Sequence, residues 1–221
     1  MSLAGGMLGR VCKYTDRKYT TRMMSQPAKS TPGERLPRIP PDQWTEAQRQ
    51  VAADIAAGPR GELRGPFIAL LRSPGAAAPI QQLGEYLRYH SPLDRRLAEM
   101  ATLIAARHWS QKYEWSAHHA HALEAGLSPA IAEAIAEARR PEAMAPDEAV
   151  VHDMLTEALH NKRVSDATYA AALSLFGEQK LLDLLLIAGY YAMLALVLNV
   201  ARIAVPEGKN AAAPPLPVFP Y

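Results

Sequence analysis

LAEMATLIAARHWSQKYEWSAHHAHALEAGLS, residues 97–128, is a helical hairpin legible in its side chains. Leu97, Met100, Leu103 and Ile104 recur at the three- and four-residue spacing of one helix face, so the first half buries a stripe. The pattern breaks near Ser110, and a second helix is predicted over 111–125. Gly126 then suits the position just past a helix end, where a left-handed backbone favours glycine, and Ser128-Pro129 supplies a cap and a first-turn proline for the next helix.

The same punctuation extends outward. Helices are predicted near 43–57, 65–72, 76–90, 93–109, 111–125, 129–138, 147–161, 166–176 and 178–204, with Ser91-Pro92 breaking before the fourth and Asp147 and Ser165 as N-cap candidates. Strand-like alternation is hard to find, so the expected fold class is all-α. A chain of 221 residues with 49% hydrophobic content can bury one substantial core. We therefore expect one helical domain over 43–205. It is flanked by a leader and Pro-rich arm over 1–42, of the kind that often packs on a neighbouring subunit, and by an extended Pro/Ala-rich tail over 206–221.

Composition narrows the function classes. With 24 basic against 22 acidic residues the formal net charge is +2, too balanced for a phosphate-tracking surface, so no nucleic-acid partner is expected. Cys12 is the only cysteine, which excludes an intrachain disulfide, a CxxC redox pair and a thiolate zinc site. It also suits a reducing compartment, and the cytoplasm is the expected location. Residues 1–24 have a transit-peptide-like composition, with the alternative of a start upstream of Met23 or Met24. Leu184 to Leu198 is uncharged, but Asp183 and Asn199 bracket it short of the roughly 20 apolar residues of a membrane span. The reading is a buried helix that also makes subunit contacts, hence no membrane and a homo-oligomer.

On a helix Gln111, Glu114, His118 and His121 fall within about 80° of one another and share a face. Glu114 and His118, one turn apart, can pair so that the carboxylate orients the imidazole for proton transfer. Three readings stand: a solvated surface pair, a proton-transfer dyad, or a metal site through Glu114, His118 and His121. The last would crowd three bulky ligands onto one helix. Glu99 on the preceding helix adds a second carboxylate, either for a surface ion pair with Arg95 or Arg96 or as a partner of Glu114 in a shielded site. There, paired carboxyls would split their proton affinities.

Glu99, eleven residues, Gln111, two residues, Glu114, three residues and His118, followed by Ala122 and Ala125-Gly126-Leu127-Ser128, resembles the carboxymuconolactone decarboxylase and alkylhydroperoxidase D superfamily. The likeness continues through Gly65-Pro66-Phe67, Leu83 to Tyr89, Arg163-Val164-Ser165 and Gly189-Tyr190-Tyr191 to Asn199. It looks like a cysteine-less Glu-Trp-x-x-His subgroup. The resemblance implies an alkylhydroperoxidase D-like helical bundle that assembles as a trimer, dimer or hexamer, with Glu99 and His118 matching the family's proton-relay residues. Gln111 and Glu114 stand where the peroxidase branch has its two cysteines, so peroxiredoxin activity does not carry over.

The expectation is a cofactor-independent acid–base enzyme, lyase or isomerase, acting on a small organic acid, lactone or enol-type substrate. His118 would move the proton, Glu114 would orient it, and Glu99 would store a second proton. Arg88 or Arg107 would bind a substrate carboxylate, with helix-surface salt bridges as their alternative. Trp115, Tyr190, Tyr191 and Asn199 would wall the pocket, with plain core or interface as theirs. No cofactor and no metal are expected. The rival class is a non-catalytic small-molecule-binding oligomer of the same fold.

Overall fold

A computed structural model describes residues 33–205 together with 213, 215 and 216. The leader over 1–24 and most of the C-terminal tail lie outside the described residues. Among those described, the chain is helical without strands, in the order α1 (Glu46–Ala57), α2 (Pro66–Leu70), α3 (Pro74–Glu85), α4 (Arg95–His108), α5 (Lys112–Glu124), α6 (Pro129–Ala136), α7 (Pro146–Thr156) and α8 (Asp166–Ala201).

Local chemistry sets most of the boundaries. Thr45 caps α1 by accepting from the Gln48 amide while the Gln48 side chain accepts from the Thr45 amide, a reciprocal box. Gly126 ends α5 with φ +97°, and Pro129 opens α6. Ser165 caps α8 through the Thr168 amide. Asp147 does not cap α7: Pro146 takes the first helical position, so Ala145 becomes the N-cap, and its amide donates to Glu148 Oε2 at 2.7 Å.

Two features were not foreseen. α3 and α7 each run on into a π-helical turn, over Tyr86–His90 and Glu157–Asn161. The two helices expected over 166–176 and 178–204 are present as two arms of α8 that meet at a kink at Gly177, whose φ of 69° and ψ of 172° lie outside the helical region.

The main core gathers α4, α5, α6, α7 and the second arm of α8, with Met100, Leu103, Leu155 and Leu184 fully buried. α4 is the hub: it packs against α5, α7, α6 and α8. A second cluster under Trp44 seats α1, α2 and the start of α3. Buried polar links add register. Asp183 accepts hydrogen bonds from the Tyr86 hydroxyl at 3.1 Å and the Ser91 hydroxyl at 2.6 Å, pinning the π-turn after α3 to α8. Arg96 bonds Asp147 at 2.6 Å and also Glu148, tying α4 to the start of α7.

The described part of the N-terminal arm packs on its own chain: the Arg35 amide donates to Ala201 O at 2.8 Å, and Leu36 lies against the cluster of Ala69, Leu198, Ala201 and Ile203. α8 is long and apolar enough to cross a membrane by length and composition, and 56% of its most apolar window is buried inside the protein.

Candidate active site

The joint between α4 and α5 is made from three residues. Ser110 takes a left-handed φ of 48°, and Gln111 is the N-cap of α5. Its Oε1 accepts from the Tyr113 amide, and its Nε2 donates to Asn199 Oδ1 at 2.8 Å. Asn199 in turn donates to Trp109 O at 3.0 Å, so the end of α8 clamps the hairpin. Gln111 is thus committed to capping and Asn199 to the clamp.

With the joint held, the antiparallel helices bring Glu99 opposite His118. His118 Nδ1 lies 2.6 Å from Glu99 Oε2, and its Nε2 lies 3.5 Å from Glu114 Oε2. One imidazole sits between two carboxyls. None is at the surface: Glu99 is 8% exposed, Glu114 3% and His118 5%. The solvated-pair reading of Glu114 and His118 therefore does not describe this chain. Arg95 and Arg96, the expected surface partners of Glu99, reach instead to Glu124 and to Asp147 and Glu148. The sequence assigned the orienting contact to Glu114, but the tight contact is with Glu99.

The two carboxyls are pushed in opposite directions. Burial alone would raise Glu99, but His118 at hydrogen-bond distance and the Arg88 charge outweigh it and hold this carboxyl below its ordinary range. Glu114 is fully enclosed, and there desolvation wins over His118, Arg60 and Arg88, so its carboxyl is raised. His118 therefore stands between one carboxyl whose proton affinity is lowered and one whose proton affinity is raised.

Of the other expected residues, Arg88 lies beside this array on the π-turn after α3. Burial works against its charge, but Tyr191, Tyr89, Glu99 and Glu114 more than offset that and raise it. It helps to bound a cavity of about 20 Å³ with Leu87, Glu99, Thr102, Ile187 and Tyr191, a volume matching one water. Tyr191 stands edge-on to His118, ring centroids 4.8 Å apart, and burial raises its hydroxyl well above the ordinary range. Tyr190 stands edge-on to Tyr191 at 5.3 Å, and its buried hydroxyl is pushed up to about 12. Trp115 belongs to the main core and lies against His119.

Arg107 is not brought to the site. Two helical turns beyond Glu99, about 12 Å along the axis, it opens onto another face. There its Nε donates to Ala136 O at 2.6 Å and its side chain lines a groove of about 510 Å³ with His108, Arg140 and His152. His121 turns to Glu124 at 3.3 Å, so Glu114, His118 and His121 do not converge. Among the described residues, no group of three His, Cys, Asp or Glu side chains is placed to hold a metal.

One residue close to the array escaped the sequence reading. Arg60, in the loop after α1, places its charge on both Glu114 and Tyr190 and lays its guanidinium 4.5 Å from the centre of the Phe67 ring. Only its setting in Gly58-Pro59-Arg60-Gly61 marked it, and that reads as an ordinary turn.

Residues 74–159, from α3 to the π-turn after α7, match the family model described as the carboxymuconolactone decarboxylase family. The similarity to that family spans this helical segment, less than half of the chain. No curated protein matches the chain. The matched segment contains Arg88, Glu99, Glu114 and His118, whereas Arg60, Tyr190, Tyr191 and Asn199 come from outside it. The array therefore combines family-segment side chains with flanking ones.

Proposed function

We propose that this carboxymuconolactone decarboxylase-like protein is a cofactor-independent acid–base enzyme acting on a small organic acid, lactone or enol-type substrate by decarboxylation or isomerisation. The observation that carries the reading is a single buried imidazole held between two carboxyls whose proton affinities are driven apart. Such a split assigns roles. Glu99 orients His118 and stabilises its cationic form. Glu114 and His118 Nε2 form the acid–base couple that meets the substrate. This exchanges the roles that the sequence reading gave the two glutamates.

In decarboxylation, the bond to the carboxyl carbon breaks, CO2 leaves, and its electron pair delocalises onto an adjacent carbonyl oxygen as an enolate. The couple then delivers a proton to carbon. In isomerisation the same couple takes a proton from one carbon and returns it to another. Both reactions need one mobile proton and no electron transfer, which fits a site with no thiol.

Solvent-deuterium incorporation into a panel of small oxo-acids and lactones, followed by NMR, tests the proposal. The Glu114→Gln and His118→Ala variants are expected to keep the wild-type circular dichroism spectrum and lose about 10²- to 10⁴-fold in exchange or turnover, the usual contribution of general acid–base catalysis. Unchanged kcat/KM in both would overturn the assignment.

We further infer a homo-oligomer. Leu182, Leu186, Leu196 and Val200 are exposed along one face of α8 at spacings of four, ten and four residues, which keeps them on one stripe. Exposed leucines in register on a helix gain most from burial against another chain.

A further inference from the structure

Three buried polar atoms around Glu114 make no hydrogen bond of good geometry, namely Glu114 Oε1, the Tyr190 hydroxyl and Arg60 Nε, although the Arg60 side chain lies close enough to the Tyr190 hydroxyl to act on it as a hydrogen-bond donor. Buried polar groups are rarely left unpaired, and several in one place call for an explanation. They belong to residues that sense one another, since the Arg60 and Glu114 charges both act on Tyr190 and Arg60 also acts on Glu114. We propose that Arg60 and Tyr190 form the recognition end of the site and hold the carboxylate of a small monoanionic acid beside Glu114. The proposal rests on the acid–base reading above and names the class of substrate for it.

The geometry at both residues is built. Tyr190 can reach this position only because residue 84 is glycine: a Cβ at Gly84 would lie 2.1 Å from the Tyr190 hydroxyl oxygen. The loop carrying Arg60 closes tightly over α5, because a Cβ at Gly65 would lie 2.8 Å from the ring of Tyr113, the residue before Glu114. The guanidinium lies over the Phe67 ring, which holds it by a cation–π contact.

Charge points the same way. Glu99 balances the Arg88 charge acting on it, whereas Arg60 has no carboxylate within salt-bridge distance among the described residues, and the nearby Glu62 is paired with Arg64 at 3.2 Å. The Arg60 charge is therefore unmatched at salt-bridge distance among the described residues. A monoanion cancels it, accepts hydrogen bonds from Arg60 and the Tyr190 hydroxyl, and brings its neighbouring carbons within reach of the Glu114–His118 couple. A dianion would bury a surplus charge.

The test is titration of the full chain with sodium acetate at constant ionic strength, with sodium chloride and neutral acetamide as controls. Calorimetry reads affinity, and thermal unfolding provides a second readout. Acetate is expected to bind and raise the melting temperature, and neither control should. Arg60→Met should weaken acetate binding about tenfold or more, the usual scale for losing a charge-assisted bond. Tyr190→Phe should weaken it less, and Arg60→Lys should restore part of it. Arg60→Lys also serves if Arg60→Met fails to fold.

Acetate indistinguishable from chloride on wild type overturns the proposal, as does equal affinity in the Arg60 variants. Glu114→Gln separates this inference from the catalytic one. Turnover lost in Glu114→Gln, with acetate binding insensitive to Arg60, sinks the recognition site alone. Arg60-dependent acetate binding, with no oxo-acid or lactone turned over by wild type, sinks the catalytic reading alone.

Discussion

Replacing Gly84 with alanine sets two known effects against each other in one helix. In a helix interior, glycine to alanine gains about 0.5–1 kcal/mol through lost unfolded-state freedom. At Gly84 the added methyl would meet the Tyr190 hydroxyl oxygen at 2.1 Å and its ring carbon Cζ at 2.6 Å. Tyr190 is 3% exposed and sits in the main core against Tyr191, so it has no free space to swing into. Forcing an extra methyl into such packing costs about 1–3 kcal/mol. The net expectation is a loss of up to about 2.5 kcal/mol, or a melting temperature lower by up to about 10 °C for a domain of this size. Gly75→Ala is the internal control: it lies near the start of the same helix with nothing within 4 Å of the new methyl, so its melting temperature should hold or rise. Circular dichroism melts of the two variants beside wild type make the comparison. A Gly84→Ala protein as stable as Gly75→Ala would refute the claim that Tyr190 is seated in the glycine notch.

Glu114 should leave a signature in the pH dependence of stability. Burial raises its carboxyl in the folded state above the ordinary carboxylate range, so the folded protein binds this proton more tightly than the unfolded chain does. The resulting stability is fully present below the unfolded carboxyl's pKa and is lost as pH rises through the raised folded value. Glu114→Gln cannot ionise, so its melting temperature relative to wild type should increase from about pH 5 to about pH 8. A constant difference across that window would mean that Glu114 ionises normally. Glu99 has the opposite sign, its contribution being lost as pH falls, which places it below that window. The α8 stripe predicts an assembly at micromolar concentration, read by light scattering, and Leu186→Lys with Leu196→Lys should dissociate it. A monomeric wild-type chain at that concentration would end the oligomer proposal.

Much of the architecture was legible because helix signals are local. The hydrophobic spacing of Leu97, Met100, Leu103 and Ile104, Gly126 after α5, Pro129 at the start of α6 and Ser165 before α8 each act within a turn or two of backbone, and each appears where expected. Asp147 failed as a cap because Pro146 before it was better suited to the first helical position. The π-turns after α3 and α7 carry no local sequence rule, and at the first of them Asp183, ninety-two residues from Ser91, helps to hold the backbone.

The spacing from Glu99 to His118 lies within one hairpin, so helix periodicity alone could bring both side chains to a common seam. That much belonged to the sequence. Which glutamate grips which imidazole nitrogen, and which has its proton affinity raised, did not. Those follow from enclosure and from charges supplied by Arg88 and Arg60, on segments far from the hairpin in sequence. Two arginines of equal standing in the sequence, Arg88 and Arg107, were separated by packing, because Arg107 lies about 12 Å along α4 from Glu99 and bonds to Ala136 instead. Arg60 remained invisible for a related reason. A lone arginine in a glycine-flanked turn has no periodicity to read, and only the packing of its loop over Tyr113 and Glu114 gives it a role.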